Sequence, residues 1–326
     1  MDDCDEFRRL IAKRHAEGFT RECHGDLHLQ NMVLTDQGIR AFDCLDFEKS
    51  LRAIDPWCDA AFLGMDCCVR DRADLAYAVI DGYLDHSGDY EGVLLLPLYS
   101  RYRSMVRAKV AALQLESSYQ PVLFDALKRH VDWTWQNENR PPGRLIVTCG
   151  VSGSGKSFWA LKLVPELNAV RLRSDVLRKR RHGLAPNADS QSSLGSKLYA
   201  SEETKRLYEQ LATIVSGLLC QGENVVVDST NLKLWQRQLF YAAASAADSP
   251  CIVLYFTASK VVLEQRIAHR QAQGNDASEA NLDVLNWQLS TAELPLEDEP
   301  VANIDSEHIS LAQILEAIRG NLLYPR

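Results

Sequence analysis

Short runs of apolar, mostly β-branched residues alternate with amphipathic stretches through the second half of the chain. The apolar runs predict strands at 144–150, 168–174, 223–229, 250–256 and 300–306. Apolar residues at helical spacing predict helices at 156–167, 195–221, 233–247, 259–273, 278–291 and 308–319. Strands that are apolar on both faces and alternate with helices predict an α/β fold, in which helices cover both sides of a parallel sheet. The polar stretch at 293–300 predicts an exposed loop before the last strand.

The first half of the chain shows mainly helical periodicity. Its predicted helices are 56–68, 70–86, 92–117, 121–136 and an amphipathic helix within 1–23. The halves meet at 137–143, NENRPPG, where Pro-Pro-Gly disfavours a helix. The 326 residues suffice for two cores. We therefore predict a mostly α-helical domain at 1–136, a linker at 137–143 and an α/β domain at 144–326.

Composition and charge limit the class of protein. The formal net charge of −8 argues against a dedicated nucleic-acid binder with a basic face, although it is compatible with a basic cleft. The nine cysteines include no CxxC pair, which favours reduced thiols in a cytoplasmic protein. No apolar run approaches the ~18 residues of a membrane span, and the acidic first residues do not resemble a signal peptide. We therefore expect a cytoplasmic protein without a membrane partner.

A phosphate-binding motif follows the first strand of the second half. It has the pattern GxxxxGK[ST] and stands at the predicted turn from strand to helix. Glycines let successive backbone N–H groups face phosphate oxygens, and the N-terminal end of the helix adds positive potential. The lysine reaches the β and γ phosphates and the next hydroxyl is a ligand for Mg²⁺, so we predict ATP and Mg²⁺ as cofactors. The motif residues are Gly150, Val151, Ser152, Gly153, Ser154, Gly155, Lys156 and Ser157.

Candidate acceptor-binding and metal-binding residues follow the next two strands. The second strand leads into Asp175 and Arg178, and the third strand ends at Asp228. Ligands of open α/β sheets bind at the carboxyl ends of the strands. At this edge Asp175 is suited to accept the proton of a hydroxyl acceptor, Arg178 to neutralise a phosphoryl group, and Asp228 to hold Mg²⁺. A role for Asp175 as the N-cap of a helix is an alternative, and the residue could serve both roles.

Residues 144–326 resemble the P-loop kinases with a DxTN motif, a group that includes 5′-hydroxyl polynucleotide kinases. The resemblance is strongest to predicted small kinases fused to an aminoglycoside-phosphotransferase-like domain. In such kinases, arginines on a helical lid close over the transferred group, which implies this role for Arg266 or Arg270, with Arg270 the better candidate. Two solvent-exposed surface arginines are the alternative. Residues 196–199 and Tyr208 are expected to face the substrate. The matching segments are GVSGSGKS, RSDVLRK, VVVDSTN and RIAHRQAQGNDASEA.

The motif HGDLHLQN at 24–31 resembles the catalytic loop of the aminoglycoside-phosphotransferase and protein-kinase-like fold. The resemblance implies that Asp26 accepts a proton from an acceptor, while Asn31 and Asp43 bind Mg²⁺. The 23 residues before the motif are too few for the nucleotide-binding lobe of that fold, which needs well over ~50 residues. We therefore expect this second site to be inactive in the chain as given.

Three explanations are open for the incomplete lobe. The chain is a piece of a longer two-kinase protein, or a natural remnant that serves as a scaffold, or a partner supplies the absent lobe. In each case, apolar surface that the absent lobe would cover favours association with another molecule.

Together the motifs predict a kinase that transfers the γ-phosphoryl group of ATP to a hydroxyl-bearing acceptor. The expected acceptor is a small molecule, with or without a phosphate group, or a nucleic-acid 5′ end. The basic run at 178–182 supports an anionic acceptor, unless it is simply a solvent-exposed helix face. The alternative functions are an ATP-binding switch or scaffold with little turnover, and an aminoglycoside phosphotransferase.

Overall fold

The chain divides into two compact units. The first unit comprises Met1–Tyr83 and Glu91–Arg140, and the second comprises Leu84–Tyr90 and Pro141–Arg326. Within the described residues, no helix has both the length and the apolar character that a membrane crossing requires. A computed structural model of the protein describes residues 3–185, 201–273 and 280–322.

The first unit is mostly helical, as the sequence predicts, and its strands are short. Its helices are α1 (Asp3–Ala16), α2 (Pro56–Val69), α3 (Ala73–Ser87), α4 (Leu96–Ser117) and α5 (Pro121–Glu138). Its strands are β1 (Arg21–Glu22), β2 (Met32–Thr35), β3 (Gly38–Ala41) and β4 (Ala53–Ile54). Strand β1 pairs antiparallel with β4, and β2 pairs antiparallel with β3 in a hairpin. The last residues of α3 belong to the second unit.

A buried ion pair attaches α1 to the start of α2. The Asp55 carboxylate caps α2 by accepting a hydrogen bond from the backbone N–H of Trp57 at 3.0 Å. Its other oxygen accepts a 2.6 Å hydrogen bond from Arg14, whose side chain is 1% exposed. Breaking such a buried pair leaves an uncompensated charge. The polar contact therefore fixes the position of α1 within the unit.

The second unit contains a five-stranded parallel sheet, which confirms the predicted α/β fold. Its strands are β5 (Leu145–Cys149), β6 (Ala169–Arg173), β7 (Asn224–Asp228), β8 (Cys251–Thr257) and β9 (Val301–Asp305). They lie in the order β6-β7-β5-β8-β9, and every neighbouring pair is parallel. All residues of β5 are buried, so other elements cover both faces of this central strand.

Helices cover the sheet on both faces. The helices of the second unit are α6 (Lys156–Leu167), α7 (Ser174–Arg181), α8 (Ser201–Cys220), α9 (Leu234–Ala246), α10 (Lys260–Gln273), α11 (Leu282–Thr291) and α12 (Leu311–Asn321). Side chains of α6 and α12 form one core cluster with the sheet, in which Trp159 and Ile314 pack with Ile146. Helices α8 and α9 contact each other and the strands β7 and β5.

The direction of the chain across the sheet reverses between β5 and β7. The connection that follows β5 leads to β6 at one edge, whereas the connection that follows β7 passes β5 and leads to β8. The helices that follow β5 and β7, α6 and α9, pack in different layers. Such a reversal opens a crevice beyond the carboxyl ends of the two strands, and ligands of open α/β sheets bind there. The segments 150–157 and 228–231 lie at this crevice.

Three details of the fold differ from the predictions. Helix α7 follows β6 directly; it was not among the predicted helices, although the alternatives given for Asp175 and for the run 178–182 imply a helix there. Helix α5 continues to Glu138, inside the segment predicted as a linker, because the two prolines come only after it. The acidic stretch 293–300 is not wholly exposed. Glu299 is largely buried and pairs with the fully buried Arg237 at 2.6 and 2.9 Å, which ties this stretch to α9.

Candidate active site

The loop that joins β5 to α6 needs glycine at several positions. Gly150 has φ 145°, and a Cβ atom there would lie 2.5 Å from the carbonyl oxygen of Phe256. Gly153 has φ 82°, and a Cβ atom there would lie 2.9 Å from the carbonyl oxygen of Leu263. Side chains are strained at such angles and would collide with backbone at these distances. The loop therefore keeps the tight turn that a phosphate-binding loop requires, and α6 begins directly after it.

Lys156 is folded into this loop. Its Nζ donates hydrogen bonds to the carbonyl oxygen of Val151 at 2.8 Å and to Ser154 Oγ at 3.4 Å. Burial of the ammonium lowers the pKa of Lys156 to about 8, although the Asp228 charge acts in the opposite direction. The charged side chain is thus held at the place where phosphate oxygens would approach the loop.

Ser157 and Asp228 bring together two oxygen atoms of the kinds that bind Mg²⁺. Ser157 Oγ donates a hydrogen bond to Asp228 Oδ1 at 2.9 Å. Hydroxyl and carboxylate oxygens are the ligands that Mg²⁺ prefers, and Mg²⁺ usually keeps several waters and phosphate oxygens besides one or two protein ligands. In the described part of the chain, no group of three or more His, Cys, Asp or Glu residues is arranged to hold a metal. The pair therefore fits a Mg²⁺ ion that is bound together with a nucleotide.

Two arginines of β6 also contact Asp228. Arg171 NH1 lies 3.5 Å and Arg173 Nε 3.6 Å from Asp228 Oδ2. Arg173 is the direct neighbour of Asp228 in the parallel register of β6 and β7. Nearby carboxylates raise the pKa of Arg173 against the opposing effect of burial, so this guanidinium stays charged. Neither arginine was predicted as a site residue, although Arg173 ends a strand at the same edge of the sheet as Asp228.

Asp175 and Arg178 form an ion pair on the first turns of α7. Arg178 NH1 donates a hydrogen bond to Asp175 Oδ1 at 2.6 Å. The N-cap position of α7 is Arg173, so Asp175 lies within the first turn and is not the cap. A carboxylate in the first turn is stabilised by the positive end of the helix. The predicted proton acceptor and the predicted phosphate-binding arginine are therefore neighbours.

Arg266 and Arg270 both come from α10, but they make different contacts. Arg266 NH1 donates hydrogen bonds to the carbonyl oxygen of Gly153 at 3.2 Å and to Ser306 Oγ at 2.8 Å. Arg270 NH2 donates a hydrogen bond to the carbonyl oxygen of Ala280 at 2.8 Å. Neither is a solvent-exposed surface arginine. Arg266 supports the phosphate-binding loop, whereas Arg270 extends from the same helix face one turn later.

One cavity collects most of the predicted residues. It is lined by Ser152, Gly153, Gly155, Lys156, Ser157, Phe158, Arg173, Ser174, Asp175, Asp228, Ser229, Thr230, Arg266 and Arg270. Gly150, Val151 and Ser154 shape the loop without lining the cavity, and Arg178 contacts it through Asp175. The cavity thus joins a phosphate-binding loop, two carboxylates and three arginines.

Other polar residues stabilise the frame of this cavity. Asn231 is buried with φ 46°, and its Nδ2 donates a 2.7 Å hydrogen bond to the carbonyl oxygen of Thr148, which ties the end of β7 to β5. The Tyr208 hydroxyl shares a hydrogen bond of 2.5 Å with Ser229 Oγ. Tyr208 is buried and does not line the cavity, contrary to the prediction. The other predicted substrate-facing residues, 196–199, lie outside the described residues.

The basic run at 178–182 is not one cationic surface. Lys179 is buried, and Arg181 pairs with Glu203 at 2.7 Å. Arg178 faces Asp175. The run is therefore not simply a solvent-exposed helix face, and its support for an anionic acceptor stays a prediction.

In the first unit, Asp26 and Asn31 lie together. Asn31 Nδ2 donates a 3.0 Å hydrogen bond to Asp26 Oδ2, and His28 lies 3.2 Å from the same oxygen. Burial acts to raise the pKa of Asp26, but the contacts with His28 and Asn31 outweigh it and lower the pKa. The backbone N–H of Phe42 donates to the Asn31 carbonyl oxygen at 3.0 Å, which places the exposed Asp43 one residue away. The three predicted residues thus belong to one local arrangement.

Two families match the chain by sequence. Residues 145–295 match the family described as AAA domain, and residues 2–96 match the phosphotransferase enzyme family, APH. The chain carries an APH-type region ahead of a P-loop kinase-type domain. Both resemblances inferred from the motifs are thereby confirmed, and the two regions support a phosphotransferase fold.

The chain is similar to two mycobacterial proteins over most of its length. An uncharacterized protein of Mycobacterium tuberculosis and one of Mycobacterium bovis are each 31% identical to it over 273 residues. The aligned region covers 82% of this chain and 54% of each relative. The chain therefore spans about half the length of the curated relatives it matches.

Solved kinase structures align with about half of the chain. A gluconokinase from Sinorhizobium meliloti 1021 aligns with a TM-score of 0.39 and 23% identity, over 56% of this chain and 93% of that chain. The APS kinase of Mycobacterium tuberculosis aligns with a TM-score of 0.41 and 15% identity, over 55% of this chain and 99% of that chain. At these identities the likeness concerns the fold alone.

Proposed function

We propose that the second unit transfers the γ-phosphoryl group of ATP, with Mg²⁺, to a hydroxyl-bearing acceptor. One observation supports this most strongly. A single cavity is lined by the phosphate-binding loop, by Asp228 next to the Ser157 hydroxyl, and by Asp175. Binding of a nucleotide alone would not require a second carboxylate in the same cavity. A phosphoryl acceptor needs one to orient its hydroxyl.

The phosphate end of ATP would be held by the loop 150–157. Backbone N–H groups and the ammonium of Lys156 carry the positive charge that the β and γ phosphates need. Ser157 and Asp228 would hold Mg²⁺, which supplies further neutralisation of phosphate charge when bound. Arg266 and Arg270 line the same cavity and would face the charge on the transferred group. These contacts bind and align the donor before transfer.

Asp175 would act on the acceptor. It accepts the hydroxyl proton while the acceptor oxygen forms its bond to the γ-phosphorus and the bond from that phosphorus to the ADP oxygen breaks. In a loose transition state the proton leaves late, so orientation of the hydroxyl matters more than the basicity of the carboxylate. Arg178, paired with Asp175 at 2.6 Å, fixes the direction of the carboxylate. The proposed acceptor is a small molecule or a nucleic-acid 5′ end.

The test is a search for phosphorylated product. The full chain is incubated with ATP, Mg²⁺ and a mixture of sugars, other metabolites and oligonucleotides with 5′-hydroxyl ends, and mass spectrometry detects the added phosphate. We expect acceptor-dependent ADP release that falls by at least about 100-fold in Asp175→Ala, a loss typical of removed acid–base groups. Full turnover of Asp175→Ala would show that this carboxylate does not receive the proton.

Matched variants assign the activity to one unit. Lys156→Ala should abolish ADP release, whereas Lys162→Ala, on the same helix but outside the cavity, should retain it. Asp26→Asn should also retain it. ADP release that survives Lys156→Ala and is lost in Asp26→Asn would place phosphoryl transfer in the first unit. ATP binding without any phosphorylated product would instead favour the alternative function, an ATP-binding switch with little turnover.

A further inference from the structure

Residues 84–90 precede the linker in the sequence and yet belong to the second unit. Two of their side chains contact β6. The hydroxyl of the buried Tyr90 accepts a 3.3 Å hydrogen bond from the backbone N–H of Arg173. The Asp85 carboxylate lies 2.9 Å from Arg171 NH2 and 3.2 Å from Arg173 NH1. This segment therefore places a carboxylate against the two arginines that contact Asp228.

The four side chains form a compact cluster of charges. Two guanidinium groups, Arg171 and Arg173, lie between two carboxylates, Asp85 and Asp228. Both arginines lie closer to Asp85, at 2.9 and 3.2 Å, than to Asp228, at 3.5 and 3.6 Å. The side chains of Arg171 and Asp228 are each 3% exposed, so solvent screens their charges little. The geometry of the cluster thus depends on both carboxylates.

We propose that Asp85 is a positioning residue of the phosphoryl-transfer site, which holds Arg171 and Arg173 so that Asp228 stays accessible to Mg²⁺. The inference rests on the proposed function, because it assigns Mg²⁺ and ATP to the cavity of the second unit. Asp85 is 34% exposed and does not line that cavity. Asp85 therefore acts through Arg171 and Arg173 and not by contact with ATP or Mg²⁺.

The two arginines and a bound Mg²⁺ ion would compete for the Asp228 carboxylate. A buried guanidinium that loses a carboxylate partner is strongly destabilised, so it moves towards another negative charge. Without the Asp85 charge, the arginines would approach Asp228 Oδ2 more closely. A metal ion at Asp228 would then have to displace two guanidinium groups whose charge has the same sign as its own. The negative charge of Asp85 offsets this repulsion and so weakens the competition between the two arginines and Mg²⁺ for Asp228.

The experiment uses the full chain and measures how Mg²⁺ promotes nucleotide binding. A fluorescent ATP analogue is titrated with Mg²⁺ at constant protein, and its binding is also measured in EDTA. We expect Asp85→Asn to require about tenfold more Mg²⁺ for half-saturation, which lies within the usual range of coupling between linked sites. Binding in EDTA should not weaken. Asp85→Glu, which restores the charge, should recover most of the Mg²⁺ affinity.

Asp74→Asn is the matched control. Asp74 lies on the same helix, α3, and pairs with Arg72 at the surface, so the same chemical change there should leave the titration unaltered. The inference is overturned if Asp85→Asn titrates like the wild type, or if its binding in EDTA and in Mg²⁺ weakens by the same factor. A wild-type protein that shows no Mg²⁺-dependent binding would overturn the proposed function as well.

Discussion

Ser157 Oγ donates a 2.9 Å hydrogen bond to Asp228 Oδ1, across 71 positions of sequence. One residue lies in the first turn of α6 and the other is the last residue of β7. The parallel pairing of β5 with β7 brings these two ends together at the reversal point of the sheet. The hydroxyl oxygen of Ser157 and the carboxylate of Asp228 therefore meet beside the phosphate-binding loop.

Removal of the Ser157 hydroxyl should weaken Mg²⁺-dependent nucleotide binding. We expect Ser157→Ala to reduce the affinity for Mg²⁺ in the presence of ATP by at least about tenfold, a loss seen when groups that support a metal site are removed. Ser157→Thr keeps the hydroxyl and should bind nearly as the wild type does. The double variant with Asp228→Asn should lose less than the sum of the two single losses, because both residues serve one ion. Fully additive losses in calorimetric titrations would contradict a shared site.

Gly153→Ala should distort the phosphate-binding loop. The new Cβ atom would lie 2.9 Å from the carbonyl oxygen of Leu263, at a φ of 82°. Strain at such an angle costs about 1–2 kcal/mol, and the loop must also shift away from α10. We expect lower thermal stability and at least about tenfold weaker ATP binding, a loss of ~1.4 kcal/mol. Gly320→Ala, in helix α12 with nothing near its Cβ position, is the control and should not weaken binding. Unchanged ATP affinity in Gly153→Ala would contradict the role of this loop.

Nucleotide binding should weaken at alkaline pH because of Lys156. Its pKa is lowered to about 8 by burial, so below pH 8 the ammonium is charged and above it the unliganded protein loses this proton. Since the phosphates favour the charged form, binding above pH 8 requires uptake of a proton, and affinity should fall by up to about tenfold per pH unit. Titrations from about pH 7 to about pH 10 test this. Lys162→Met should keep the pH profile of the wild type. In Lys156→Met, the nucleotide affinity should no longer decline above pH 8. A decline that persists in Lys156→Met would have another origin.

The hairpin of the first unit should promote association. Leu34 and Ile39 face each other across β2 and β3 and are 80% and 67% exposed. Contiguous apolar surface of this kind usually marks a contact with another molecule. We expect the wild type to associate in sedimentation experiments and Leu34→Ser with Ile39→Ser to associate less. Since neither side chain is buried, thermal stability should change little. Equal association of both proteins would exclude the hairpin as the contact surface.

Much of the second unit could be predicted from local sequence. Nearly continuous apolar runs located all five strands, because strands buried on both faces need apolar residues throughout. The glycines of the loop 150–157 predicted a turn that only glycine tolerates, and the structure has positive φ at Gly150, Gly153 and Gly155. The placement of Asp175 and Asp228 at strand ends was enough to predict that they share one edge of the sheet.

The contacts that depend on distant segments could not be predicted in this way. The pairing of Asp85 with Arg171 and Arg173, and that of Glu299 with Arg237, join positions at least 62 residues apart. Charged residues look alike in a sequence whether they lie in water or in a buried pair. Their role depends on which opposite charge the fold places within a few ångströms and on how far water is excluded from the pair. Local patterns therefore determined the strands, the loop and the edge where the site lies, while the tertiary structure decided which charges balance one another inside it.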